Sequence, residues 1–201
     1  GLVRLSMVAA SVCAVVLLAL GIGTLVRTRL RPTVPDAIAY QIEGGSLVEG
    51  GYLRGSGNRG VKLVFAEGSE FALMPGTRGR LRSVDSAGAR IAIEHGAASF
   101  QVTPRSEAKW LVDVGPFLVT VKGTAFTVSW DAASERFELR LQHGQVSVTG
   151  PIAGGAIPVR TGQRLVVNLP REEIIISEQK PEEAWPGSSP LGTAIPSSDL
   201  P

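Results

Sequence analysis

Hydrophobic and polar residues alternate through most of this chain, but the parity of the apolar positions keeps changing. Phe117, Val119 and Val121 fall on odd numbers, whereas Phe126, Val128 and Trp130 fall on even ones, with Lys122-Gly123-Thr124 between them. The same switch separates Ile91 and Ile93 from Phe100 and Val102 across "EHGA", and Leu139 and Leu141 from Val146 and Val148 across "QHGQ". Val114 and Phe117 change parity across Gly115-Pro116. A period of two is the signature of a strand with one buried face. A one-residue slip turns that face to solvent unless the backbone inserts a residue or turns. Glycine reaches positive φ at little steric cost, so Gly96, Gly123, Gly144 and Gly162 are expected to be bulge or corner residues. Thr124 and Phe126 complete the Gly123 turn.

Further alternating stretches are Val61-Leu63-Phe65, Phe71-Leu73, Trp110-Val112-Val114, Phe137-Leu139-Leu141 and the shorter "RLVVN". About ten strands are expected between Val61 and Asn168, and no window there holds a helical period. The expected fold is all-β, built of stacked short strands as a β-roll or solenoid-like sandwich. The phrases "EGSEFAL", "EHGAASFQV", "KGTAFTV", "QHGQVSV" and "TGQRLVV" each run from a glycine into a strand, at spacings too irregular for a repeat family.

The N-terminal region differs. Leu5 to Val26 form 22 residues without a charge. As a helix they would extend ~33 Å at ~1.5 Å per residue, enough for a ~30 Å hydrocarbon core. No small-residue cleavage site follows, so a membrane anchor is expected rather than a signal peptide. Arg27, Arg29 and Arg31 follow the span and, counted alone, put its C-terminal side in the cytoplasm. A basic flank before Gly1 would reverse that count. The expected organisation is an anchor over 1–31 with its helix at about 5–26, a tether with first strands over 32–59, a β-domain over 60–168, and a Pro/Ser-rich acidic linker over 169–201. From Arg171 onward there are six acids against two bases, and from Lys180 onward five prolines. Trp185 is a candidate contact point within that tail.

Charge and chemistry narrow the functions. A net charge of +2 gives no case for nucleic acid. The one cysteine, Cys13, lies in the apolar run, so the body has no disulfide and no thiol-based metal site. His95 and His143 each precede a corner glycine and read as turn residues; two histidines at unrelated turns do not make a zinc site. Glu67, Glu70, Asp85, Glu94, Asp113 and Asp131 are scattered, without a pair that spacing would bring together. Ser69 and Ser99 lack a nucleophile-elbow context, and "GGYLRGSGNRG" lacks the strand-then-helix frame of a phosphate loop. No catalytic residue, cofactor site or metal site is expected. Arg78, Arg80 and Arg82 alternate and would share one strand face, with Arg90 nearby. They are the candidate partner-binding residues, suited to an acidic protein or an anionic glycan. The alternative is an exposed strand edge guarded by charge.

The phrases "VFAEGSEFALMPGTRGRL" (Val64 to Leu81), "IEHGAASFQV", "LVDVGPFLVTVKGTAFTVSW", "LRLQHGQVSV" and "VRTGQRLVV" occur in an order that resembles the FecR domain, the extracytoplasmic module of iron-dicitrate-type transmembrane regulators. The resemblance covers roughly residues 60–168, and "GTAF", with Gly123 and Phe126, is its most specific piece. It implies a single-pass inner-membrane protein with the β-domain in the periplasm. It also implies a cytoplasmic segment that binds a sigma factor and a signal received from an outer-membrane receptor. The sigma-binding segment is not within this sequence, and a second periplasmic subdomain is not evident after residue 170. The expected function is a membrane-anchored sensing or regulatory module relaying a cell-surface signal toward a sigma factor; the alternative is an envelope structural or glycan- or protein-binding module without a sigma-factor role.

Overall fold

The computed structural model describes residues 37–56, 60–152 and 154–179. The membrane-span, tether-arginine and Trp185 expectations lie outside these residues. Among the described residues no helix is long and apolar enough to cross a membrane.

Among the described residues fifteen strands form one curled, open sheet that folds into two layers. The first layer runs in the order β1 (Tyr40–Glu43), β4 (Val61–Phe65), β5 (Glu70–Leu73), the second half of β7 (Ala89–Gln101), β10 (Ala125–Asp131), β11 (Arg136–His143), β14 (Gln163–Asn168) and β15 (Glu173–Glu178). The second runs β2 (Gly45–Val48), β3 (Tyr52–Gly55), β6 (Arg78–Val84), the first half of β7, β8 (Trp110–Val114), β9 (Phe117–Val121), β12 (Gln145–Thr149) and β13 (Ile157–Arg160). Ladders between the described strands are antiparallel except β7–β8, which is parallel. The sheet is therefore curled back on itself, without the stacked parallel coils of a solenoid.

Three of the four parity changes are places where the chain leaves one layer for the other; the fourth, across Gly115-Pro116, is the tight turn of the β8–β9 hairpin within the second layer, where Val114 pairs with Phe117. "EHGA" does not separate two strands: β7 is one strand of 13 residues that bends within it and belongs to both layers. Ile91 and Ile93 face the core before the bend, Ala98 and Phe100 after it. Gly96 at the bend has φ 96°, and a Cβ there would lie 2.7 Å from the Thr77 backbone Cα. Thr77 approaches so closely because its hydroxyl donates to the Ala97 carbonyl (2.7 Å) and accepts the Ala97 N–H (3.0 Å). Gly123 (φ 83°) occupies the crossing from β9 to β10, packed against Pro104. Gly144 and Gly162 also have positive φ, at the β11–β12 and β13–β14 crossings. Thr124 is buried at 3 % exposure and its carbonyl accepts the Val102 N–H at 2.8 Å. Phe126 stacks on Phe100 with centroids 4.9 Å apart.

The core is continuous between the layers. Phe65 and Phe71 of the first layer meet Trp110 of the second edge-on, at 5.0 and 5.1 Å. Phe117 of the second stacks on Phe137 of the first at 4.5 Å. Such pairs favour the folded state beyond the area they bury.

The sheet extends past the stretch read from sequence as its end. β15 lies within the segment assigned to the linker tail and pairs with β14 from Gln163↔Glu178 to Asn168↔Glu173. Its three consecutive isoleucines show no alternation, because both of its faces are exposed.

Candidate functional site

The arginine stripe is built by strand periodicity and then joined by residues from neighbouring strands. On β6 the period of two puts Arg78, Arg80 and Arg82 on the outer face, while Gly79 and Leu81 point to the core. Register places Arg80 beside Tyr52 of β3 on one side and Ala92 of β7 on the other, and Ala92 beside Asp113 of β8. Two acids thereby come within reach. Arg78 Nε donates to Glu94 Oε2 at 2.8 Å, and Arg80 Nε lies 3.2 Å from Glu94 Oε1. Arg90 binds Asp113 through two nitrogens, both at 2.8 Å, and Arg82 Nε lies 3.3 Å from Asp113 Oδ2. The Tyr52 hydroxyl donates to Glu94 Oε1 at 3.1 Å, and its ring lies 4.8 and 5.5 Å from the guanidinium carbons of Arg78 and Arg80.

Four guanidiniums share two carboxylates, so the patch keeps a surplus of two positive charges. Burial alone would push the Glu94 carboxyl up, but hydrogen bonds from Arg78 and Tyr52 outweigh it and hold the carboxyl below its ordinary value. The acids brace the stripe, and the four arginine side chains stay between 30% and 65% exposed. At Arg80 both flanks of β6 are paired, to Tyr52 of β3 and to Ala92 of β7, so the middle of the stripe does not guard an exposed strand edge. The edge-protection alternative does not hold at Arg80.

The other candidates do not converge. His95 lies opposite Arg78 next to the Trp130 end of β10, whereas His143 lies opposite Ala125 at its other end. No group of three or more potential metal ligands occurs among the described residues. Glu70 pairs with Lys62 at 2.8 Å. Asp85 accepts the Ala87 and Gly88 N–H groups, and Asp131 those of Ala133 and the Ser134 hydroxyl. Ser69 is fully buried and its Oγ accepts the Thr103 N–H at 3.0 Å, a structural contact.

Sequence reasoning missed a second basic cluster, on the outer face of the first layer. Glu138 of β11 lies 2.7 Å from Arg140 Nε, 3.0 Å from Arg164 Nη2 and 3.6 Å from Arg136 Nη2. The alternation of Arg136, Glu138 and Arg140 was a usable signal; the arrival of Arg164 depends on the β11–β14 register, Arg140↔Arg164. Tyr52 was missed too, since nothing in "GGYLRG" announces the β3–β6 pairing.

These features define a class: an all-β domain with a braced arginine face and no assembled acid–base or nucleophilic group among the described residues. Residues 54–153 match the family model described as FecR protein, and this stretch of the chain is a FecR domain. Two crystal structures of candidate anti-sigma factors from Parabacteroides distasonis ATCC 8503 share the fold. One, at 2.50 Å resolution, has a TM-score of 0.55 at 18% identity over 70% of this chain and 61% of its own. The other, at 1.65 Å, has 0.51 at 17% identity, over 72% and 58%. This chain thus spans about three fifths of their length. No curated protein matches it.

Proposed function

We propose that this chain is a membrane-anchored regulatory module of the bacterial envelope. Residues 1–31 anchor it in the inner membrane, the β-domain stands in the periplasm, and a cell-surface signal passes through it toward a cytoplasmic sigma factor. The FecR domain at 54–153 carries this reading, and the fold shared with the two anti-sigma candidates supports it. The uncharged run Leu5 to Val26 supplies a segment of spanning length ahead of the domain. The module acts by binding, without catalysis or a cofactor. Its docking face is the braced arginine patch, whose surplus charge suits an acidic surface on an outer-membrane receptor.

Two measurements test the proposal. A C-terminal reporter active only in an oxidising compartment is expected to be active, and one active only in the cytoplasm silent. The opposite pair of results would follow the Arg27, Arg29 and Arg31 count and overturn the topology. Second, changing Arg78, Arg80 and Arg82 together to Ser is expected to slow association with an acidic probe, poly-L-glutamate, by about tenfold at low salt, since complementary charge acts chiefly on the encounter rate. The salt dependence should flatten with it. The fold is expected to lose no more than about 1 kcal/mol, the scale of exposed ion pairs. Unchanged association in the triple variant would remove the docking role of this face.

A further inference from the structure

β15 ends the first layer and pairs with β14 alone among the described strands. All six of its residues are exposed, and Ile174, Ile175 and Ile176 remain 39%, 44% and 48% accessible. Register explains the exposure. Ile174 and Ile176 stand beside Val167 and Leu165, on the face that β14 buries against the core. The second layer ends at β13, so nothing among the described residues covers that face at β15. Ile175 stands beside Val166 on the opposite face. Isolated exposed hydrophobics are ordinary, but three consecutive isoleucines on a strand with one unpaired backbone edge offer a template for another strand.

The flanking charges select the occupant. Glu172 and Glu173 lie at one end and Glu178 at the other. A second copy pairing antiparallel in register would set Glu173 against its partner's Glu178 at both ends, a like-charge arrangement that opposes pairing. The chain's own residues 180–201 suit the role poorly. Their prolines leave no uninterrupted run longer than five residues, shorter than the six of β15, and Glu182 and Glu183 add like charge. Glutamates at both ends instead match lysines or arginines.

We infer that β15 recruits an extended strand of another protein, apolar at three consecutive positions and basic at both ends, which adds to the first layer by backbone pairing. The site is separate from the arginine face on the second layer and favours the opposite charge, so the two can engage different surfaces.

The test uses the full 201-residue chain and a labelled peptide, Lys-Thr-Val-Val-Val-Lys, followed by fluorescence anisotropy. Saturable binding is expected. It should weaken at least about tenfold when both lysines are replaced by glutamate, when the central valine is N-methylated, or in Ile175→Lys. Because Ile175 is exposed, that variant should keep the cooperative unfolding of the parent. The arginine triple variant should bind the peptide as the parent does. Absence of saturable binding overturns the inference, as does equal binding of the glutamate-flanked or N-methylated peptide. A concentration-dependent dimer abolished by Ile175→Lys would assign the edge to a second copy. Binding that appears only after removal of residues 180–201 would assign it to the tail.

Discussion

Gly123→Val is expected to destabilise the β-domain by about 2–6 kcal/mol, combining a non-glycine residue held at positive φ, ~1–3 kcal/mol, with overpacking of similar size. The position allows neither relief. Its φ is 83°, and an added Cβ would lie 2.6 Å from the Pro104 Cα and 2.7 Å from its Cβ and Cγ. The turn cannot slide, because Thr124 is fastened to Val102 through the backbone and Phe126 is stacked on Phe100. Gly76→Ala separates the two causes. Gly76 has a similar φ of 78° but nothing within 4 Å of an added Cβ. It should show the conformational cost alone, about 1–2 kcal/mol. Urea denaturation of both variants checks the prediction. Equal losses would show that the contact with Pro104 contributes nothing, and a neutral Gly123→Val would mean the crossing is made elsewhere.

Glu138→Gln is expected to cost about 2 kcal/mol at neutral pH, between the ~1 kcal/mol ceiling of exposed ion pairs and the 3–5 kcal/mol for breaking a buried one. The carboxylate is 13% exposed and serves Arg140 and Arg164 at hydrogen-bond distance. Glutamine keeps the shape and one acceptor, but it removes the charge and turns the second acceptor oxygen into an N–H donor that faces a guanidinium. Burial raises the Glu138 carboxyl, but the hydrogen bonds from Arg164 and Arg140 outweigh it and leave it below its ordinary value. A carboxyl depressed by folding adds stability that is complete above its unfolded value, ~4.3, and that fades as pH falls through the lower folded value. The gap between parent and variant should therefore be level from neutral pH to about 4.3 and close below it. A gap that widens in acid, or none at pH 7, would show that Glu138 does not stabilise the fold as an anion.

The stripe Arg78, Arg80 and Arg82 was legible as a stripe, because strand period alone puts alternate residues on one face. Its chemistry was not. Tyr52, Glu94 and Asp113 come from three other strands, and their arrival depends on register: Tyr52↔Arg80 on one side, Arg80↔Ala92↔Asp113 on the other. The pairing of Arg80 to β3 on one flank and β7 on the other likewise decided against an exposed edge at the middle of the stripe. The Glu138 cluster follows the same rule, half visible in the alternation along β11 and half dependent on β14. β15 escaped notice because a strand exposed on both faces carries no periodic signal.

Local order along the chain determined that this protein is all-β, which residues face inward on most strands, and that glycines mark the changes of parity. Those are properties of single strands and turns, governed by side-chain period and backbone sterics, and they need no distant partner. Only the tertiary structure decided that the parity changes at Gly96, Gly123 and Gly144 are passages between two layers while the one at Gly115-Pro116 is a hairpin within one, that β7 belongs to both layers, and that one parallel ladder joins β7 to β8. It also decided which charges meet and which strand edge is unpaired among the described residues. Pairing partners here lie tens of residues apart, as with Arg90 and Asp113 or Glu138 and Arg164. Their choice follows from the joint burial of one core by both layers, which no short window of sequence contains.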